Sequence, residues 1–170
     1  MKMMDVQVHS TDNLEWLEKT FARHLQWITA ADSKLAPILA MHTAMLGILA
    51  TVAHSVTDWT FAAALVAILS VTPLLVGLVM LLFCAFPRMT GAERSLVYFR
   101  GITSQSETAF ICAVCEMTTD DYFNDLARQC YRTAAIADAK FRWLRRAIIA
   151  LFVSILPWIL AVYQLYERKP

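Results

Sequence analysis

The sequence predicts an all-α integral membrane protein with three transmembrane helices and a small cytoplasmic helical region. Three observations carry that expectation. Of the 170 residues, 58% are hydrophobic and 17% are charged, against about 45–50% and about 25% in soluble domains, so the chain holds more apolar surface than one small core can hide. Three stretches carry no formal charge, and each is long enough for a hydrocarbon core of roughly 30 Å, which takes about 20 helical residues. No run of useful length alternates apolar and polar side chains as a half-buried strand does.

The first element expected is a cytoplasmic amphipathic helix within residues 1–34. Asp12 caps it, with Glu15 placed to reach back to the cap. Leu14, Leu17, Phe21, Leu25 and Ile28 recur at three- and four-residue steps, and Glu15 and Lys19 pair on the opposite face. The apolar stripe suits either a membrane surface or other cytoplasmic helices; the mixed sign of the polar face favours protein.

The first span covers 35–54 (LAPILAMHTAMLGILATVAH). It starts too far into the chain for a signal peptide and is expected to stay as an anchor. The second covers 59–86 (WTFAAALVAILSVTPLLVGLVMLLFCAF) and ends at Pro87. The third covers 147–166 (AIIALFVSILPWILAVYQLY). Each is apolar on nearly all faces, which means lipid or a very large core. Pro73 and Pro157 each remove one backbone hydrogen bond near mid-span and offer a place to bend.

Between the second and third spans, residues 87–146 form a cytoplasmic helical region. Ala92–Ile102 makes a short element, and Ser104-Gln105-Ser106-Glu107 opens a helix through Glu116. Thr118-Thr119-Asp120-Asp121 opens the last helix, its acids complementing the positive helix terminus. With no Pro or Gly between Tyr122 and Leu156, that helix is expected to run unbroken into the third span. Thirteen of the fifteen Lys and Arg fall in the N-terminal segment and in 87–146, which places both in the cytoplasm. Residues 10–166 are expected to work as one unit.

Composition and motifs exclude much. A net charge of +1 leaves no uncompensated basic field for a general nucleic-acid binder. The four cysteines lie in or beside apolar segments, unlike a secreted disulfide framework. No nucleophile elbow, phosphate loop or zinc-protease signature occurs, and the four histidines do not share a metal face. No catalytic residue, metal or cofactor is therefore expected. Cys112 and Cys115 form a CxxC without a second pair, and two cysteines on one helical face are commonly small buried hydrophobes.

One constellation stands out. Gln129, Arg132, Thr133, Ile136 and Lys140 share a face at 100° per residue, so two cations, an amide and a hydroxyl project together. Arg and Lys suit a phosphate, and Gln suits a base edge. Tyr98 and Phe99 provide a stacking surface, with Arg100 beside them. Asp32 and Lys34 sit just ahead of the first span. The plainer readings are a solvated helix face with core aromatics, and an interfacial polar cluster with Lys34 reaching for headgroups.

The runs HLQWITAADSKLAPILAMHTAMLG, SLVYFRGI and DDYFNDLARQCYRTAAIADAKFRWLRRAIIAL, in that order and at those distances from the spans, resemble the Pycsar effector family, the PycTM type of bacterial antiphage membrane protein. The resemblance runs from about His24 to Ala161. It implies a cytoplasmic helical sensor region for a cyclic pyrimidine mononucleotide, cUMP or cCMP, made by a partner pyrimidine cyclase during phage infection. It further implies impairment of the inner membrane, so that the infected cell stops supporting phage. Carried over by position, the resemblance falls on Asp32 and Lys34, on Tyr98 and Phe99, on Gln129 and Tyr131, and on Lys140 and Phe141. Arg132-Thr133-Ala134 and Arg100-Gly101 depart from the family pattern.

The expected function is thus a non-enzymatic receptor-effector in the bacterial inner membrane, with a cytoplasmic N-terminus and the lipid bilayer and further copies of itself as partners. The candidate ligand residues are Asp32, Lys34, Tyr98, Phe99, Arg100, Gln129, Arg132 and Lys140. The alternative is a small multi-pass membrane scaffold whose cytoplasmic helices dock a protein partner.

Overall fold

A computed structural model describes residues 11–86 and 95–167. Five helices follow one another: α1 (Thr11–His54), α2 (Phe61–Ala85), α3 (Phe99–Thr103), α4 (Glu107–Glu116) and α5 (Thr119–Tyr166). Among the described residues there is no strand. α1, α2 and α5 are long and apolar enough to cross a membrane, so the fold is that of an all-α membrane protein. Lys2, Arg88, Arg94, Arg168, Lys169, the Pro87 stop and the start of the Ala92–Ile102 element lie outside the described residues.

Local chemistry explains most helix ends and shifts some of the expected ones. α5 starts on a reciprocal cap: the Thr118 hydroxyl and N–H donate to Asp121 Oδ2 at 2.6 and 3.3 Å, and Asp121 N donates back to Thr118 Oγ1 at 3.2 Å. Thr60 caps α2 by accepting from Ala63 N. α4 begins two residues later than the sequence suggests. Ser106, whose hydroxyl accepts from Ala109 N, is its cap, because Ser104 is already occupied closing α3. Asp12 lies inside the first turn of α1, where it complements the helix dipole. Pro37, Pro73 and Pro157 are all accommodated within helices.

The chain divides into two compact units. The first combines the start of α1 with residues 87–138. Leu17, Leu126 and Cys130 form its core, with Leu14, Phe21, Val97, Tyr122 and Phe123 packed around them. The amphipathic stripe of α1 therefore packs on protein through Leu14, Leu17 and Phe21, while Leu25 stays exposed. α4 buries none of its residues. Cys112 and Cys115 are exposed thiols, not the small core hydrophobes that their spacing suggests.

The second unit holds residues 30–86 and 139–170, and so takes in Asp32, Lys34 and Lys140 with the spans. Leu49, Val56, Ala63, Ala161 and Leu165 form one cluster, and Leu81, Cys84, Leu144 and Ala147 another. His42 is fully buried; its Nδ1–H donates to Ile38 O at 2.8 Å. Gly77 gives it room, since a β-carbon there would lie 2.1 Å from His42 Nε2. Span hydroxyls are satisfied within their own helices: Thr43, Ser70, Thr72 and Ser154 donate to Leu39, Ala67, Ile68 and Leu151 carbonyls.

Candidate functional site

The polar chemistry of the first unit gathers on α5. Asp125 and Gln129, one turn apart, face the segment Ser95–Tyr98. Asp125 Oδ2 accepts from Ser95 Oγ at 2.9 Å, Leu96 N at 2.8 Å and Val97 N at 3.2 Å. Ser95 Oγ in turn accepts from Tyr98 N at 2.9 Å and from Gln129 Nε2 at 3.0 Å. Ser95 and Gln129 are both buried. Gln129, expected to read a base edge, is thus engaged in fixing the chain ahead of α3. Thr133 donates to Gln129 O and Cys130 O and approaches His24 Nδ1 at 3.4 Å.

Two openings flank this knot. A cavity of about 470 Å³ is lined by Ser95, Asn124 and Arg128 with the carboxylates of Glu116, Asp121 and Asp125. One cation against three acids disfavours an anionic ligand. A groove of about 450 Å³ is lined by Asn124, Ala127, Arg128, Tyr131 and Arg132, with no carboxylate on its wall. Arg128 and Arg132 are like charges one turn apart, an arrangement that costs an isolated helix about 0.2–0.5 kcal/mol. Arg132 Nη1 is enclosed without a hydrogen-bond acceptor, and Tyr131 is 80% exposed. Two guanidinium groups, an amide and an exposed ring are the donors and the face that a nucleotide monophosphate requires.

A family model for the Pycsar effector protein domain matches residues 16–166. The chain belongs to that family. Pycsar membership makes it an antiphage defence effector, and the three apolar helices place it in a membrane. It also implies a cyclic nucleotide signal from a cyclase partner. No curated protein and no solved structure matches the chain.

Against that Pycsar background, the residues singled out from sequence fall into separate groups. Arg132 lines the groove. Tyr98 and Phe99 contact one another, ring centroids 4.7 Å apart at 56°, and with the exposed Arg100 they line neither opening. Lys34 is exposed. Lys140 is paired with Asp32, so their charges are matched within the second unit. Asn124 and Arg128 were not singled out by the helix-face reading, although the Arg128–Arg132 spacing was a usable signal. Among the described residues no group of three or more His, Cys, Asp or Glu is placed to hold a metal.

Proposed function

We propose that this Pycsar effector binds cUMP or cCMP in the cytoplasm and, without catalysis, impairs the inner membrane, so that infection aborts. The groove on α5 carries the reading. Arg128 and Arg132 hold the cyclic phosphate, Tyr131 stacks on the pyrimidine, and Asn124 meets its edge. Gln129 acts as a positioning residue through Ser95. The sorting of Lys and Arg supports a cytoplasmic N-terminus.

α5 carries both the groove and the third span in one 48-residue helix, about 72 Å at 1.5 Å per residue. Ligand binding therefore acts on a membrane helix without an intervening joint in the chain. About 5.5 kcal/mol of differential affinity moves a population from 1:99 to 99:1, and several sites in an oligomer share that requirement. The uncovered apolar side chains of α4, Ile111 and Val114 among them, support self-association.

Titration of the full-length protein in detergent with cUMP, cCMP, cAMP and cGMP tests the ligand, and membrane potential in cells with and without an active pyrimidine cyclase tests the outcome. A pyrimidine-selective isotherm with cyclase-dependent depolarisation is expected. Absence of binding to all four removes the ligand, and an unchanged potential despite binding favours the scaffold reading.

A further inference from the structure

We propose that the groove between α2 and α5 in the span unit binds an anionic phospholipid, with the phosphate on Arg146 and one acyl chain along the groove. The groove holds about 550 Å³ and is lined by Leu69, Pro73, Val76 and Met80 of α2 and by Ile149 and Val153 of α5, with Arg146 as its one charged residue. Thr72 also lines it, but its hydroxyl is spent on Ile68 O, so nothing along the groove asks for a polar ligand except Arg146.

The dimensions select one leaflet. From Leu69 to Met80 is eleven residues, about 16 Å of helix, roughly half of a hydrocarbon core of about 30 Å. That is the depth reached by a single acyl chain. A transmembrane helix from a second copy would continue through both leaflets and leave about half of its length unmatched by this groove.

Charge selects the headgroup. The Arg146 guanidinium lies over the Trp143 ring at 4.8 Å, and Trp143 stacks on Phe83 with centroids 5.1 Å apart and planes 27° apart. This aromatic stack holds the cation immediately ahead of the charge-free stretch 147–166, the end of a span at which Trp side chains gather in membrane proteins. Arg146 makes no ion pair among the described residues, and Arg145 beside it adds a second cation. An exposed, unneutralised guanidinium at the mouth of an apolar groove matches a molecule with one phosphate and a hydrocarbon tail.

The test is native mass spectrometry of the full-length protein released from vesicles containing equal amounts of phosphatidylglycerol and phosphatidylcholine. About a fivefold preference for retained phosphatidylglycerol is expected, the equivalent of the roughly 1 kcal/mol that a basic side chain contributes at an anionic surface. Arg146→Gln should bring the preference close to one, Arg146→Lys should keep much of it, and Ala150→Phe, which fills the groove that Ala150 also lines, should lower retention of both lipids. Equal retention by the wild type, an unchanged preference in Arg146→Gln, or efficient cross-linking of Val153→Cys between copies would overturn the proposal. Nucleotide titration of Arg146→Gln serves as the folding control and reads a separate property.

Discussion

Asp32 on α1 accepts a hydrogen bond from the Lys140 ammonium on α5, an ion pair between residues 108 positions apart in sequence. The lysine side chain is 14% exposed and the carboxylate 48% exposed, so the two partners are not equivalent. Asp32→Ala leaves a mostly buried ammonium without its acceptor and should cost about 1–3 kcal/mol. Lys140→Met leaves a carboxylate that water can reach and should cost less than about 1 kcal/mol. Thermal unfolding in detergent distinguishes them, and the double variant should be more stable than Asp32→Ala alone.

At Gly77 the constraint is steric. The imidazole of His42 cannot swing aside without giving up its bond to Ile38 O, and an alanine β-carbon would sit 2.1 Å from Nε2. Gly77→Ala should destabilise the span unit by about 1–3 kcal/mol, the usual cost of overpacking. His42→Ala in the same chain should recover much of the loss, which melting curves of the single and double variants will report.

Removing charge from the groove gives a different signature. Arg128→Gln and Arg132→Gln should each weaken binding of the cyclic pyrimidine nucleotide about tenfold or more, since a hydrogen bond to a charged group is worth about 1.5–3 kcal/mol. Arg132→Gln should not lower the stability of the ligand-free protein, because it relieves a repulsion one turn apart, whereas Arg128→Gln also removes the one cation that lines the cavity of Glu116, Asp121 and Asp125 and should be slightly destabilising. Calorimetric titration beside thermal unfolding separates the two effects.

Removing the Asp125 carboxylate strips the acceptor from Leu96 N and from the Ser95 hydroxyl, and one of two acceptors from Val97 N, which also donates to Ser95 Oγ. Asp125→Ala should cost about 3 kcal/mol and greatly speed amide exchange at Leu96 and Val97. Asp125→Asn, which keeps an acceptor oxygen, should fall between. Slow exchange at both amides in Asp125→Ala would show that the segment is held by something other than this knot.

The first unit should also weaken in alkali. Burial, and then the hydrogen bond to Glu18, push the Tyr122 hydroxyl above its ordinary value, and burial raises the Cys130 thiol. For both groups the folded state holds the proton more tightly than the unfolded chain. Their contribution is therefore fully present below the unfolded values, about 8.5 for Cys and about 10 for Tyr, and is lost as pH rises through the folded ones. Tyr122→Phe should remove the tyrosine share, visible as a shallower fall of melting temperature above about pH 10.

The spans were legible because charge-free runs of membrane length have few alternatives in a chain this short. The uninterrupted α5 followed from the lack of Pro and Gly between Tyr122 and Leu156. The ligand set was harder to read. Helical periodicity put Gln129 and Lys140 on one face, but a face does not reveal what lies opposite it. Ser95, 34 residues upstream, takes the Gln129 amide, and Asp32 takes the Lys140 charge. Only Arg132 of that set lines the α5 groove; Asn124 and Arg128, which line it too, are not part of the set. The caps of α4 and α5 show the same limit at shorter range: Thr118 and Asp121 close a local ring that sequence can anticipate, while the cap of α4 depended on where α3 stopped.

The hydroxyls of Thr43, Ser70, Thr72 and Ser154 bond to carbonyls of their own helices, and this has a mechanical meaning. At those positions the helices carry no polar teeth that mesh with a neighbour. A span turning about its long axis there breaks no hydrogen bond and exchanges one apolar contact for another, whether with protein or with lipid. The few interlocks lie elsewhere, as where the Trp158 indole donates to Met45 O at 2.8 Å. A bundle assembled in this way behaves as a set of smooth rods held by a small number of pins, and the resistance to rearrangement is concentrated at the pins.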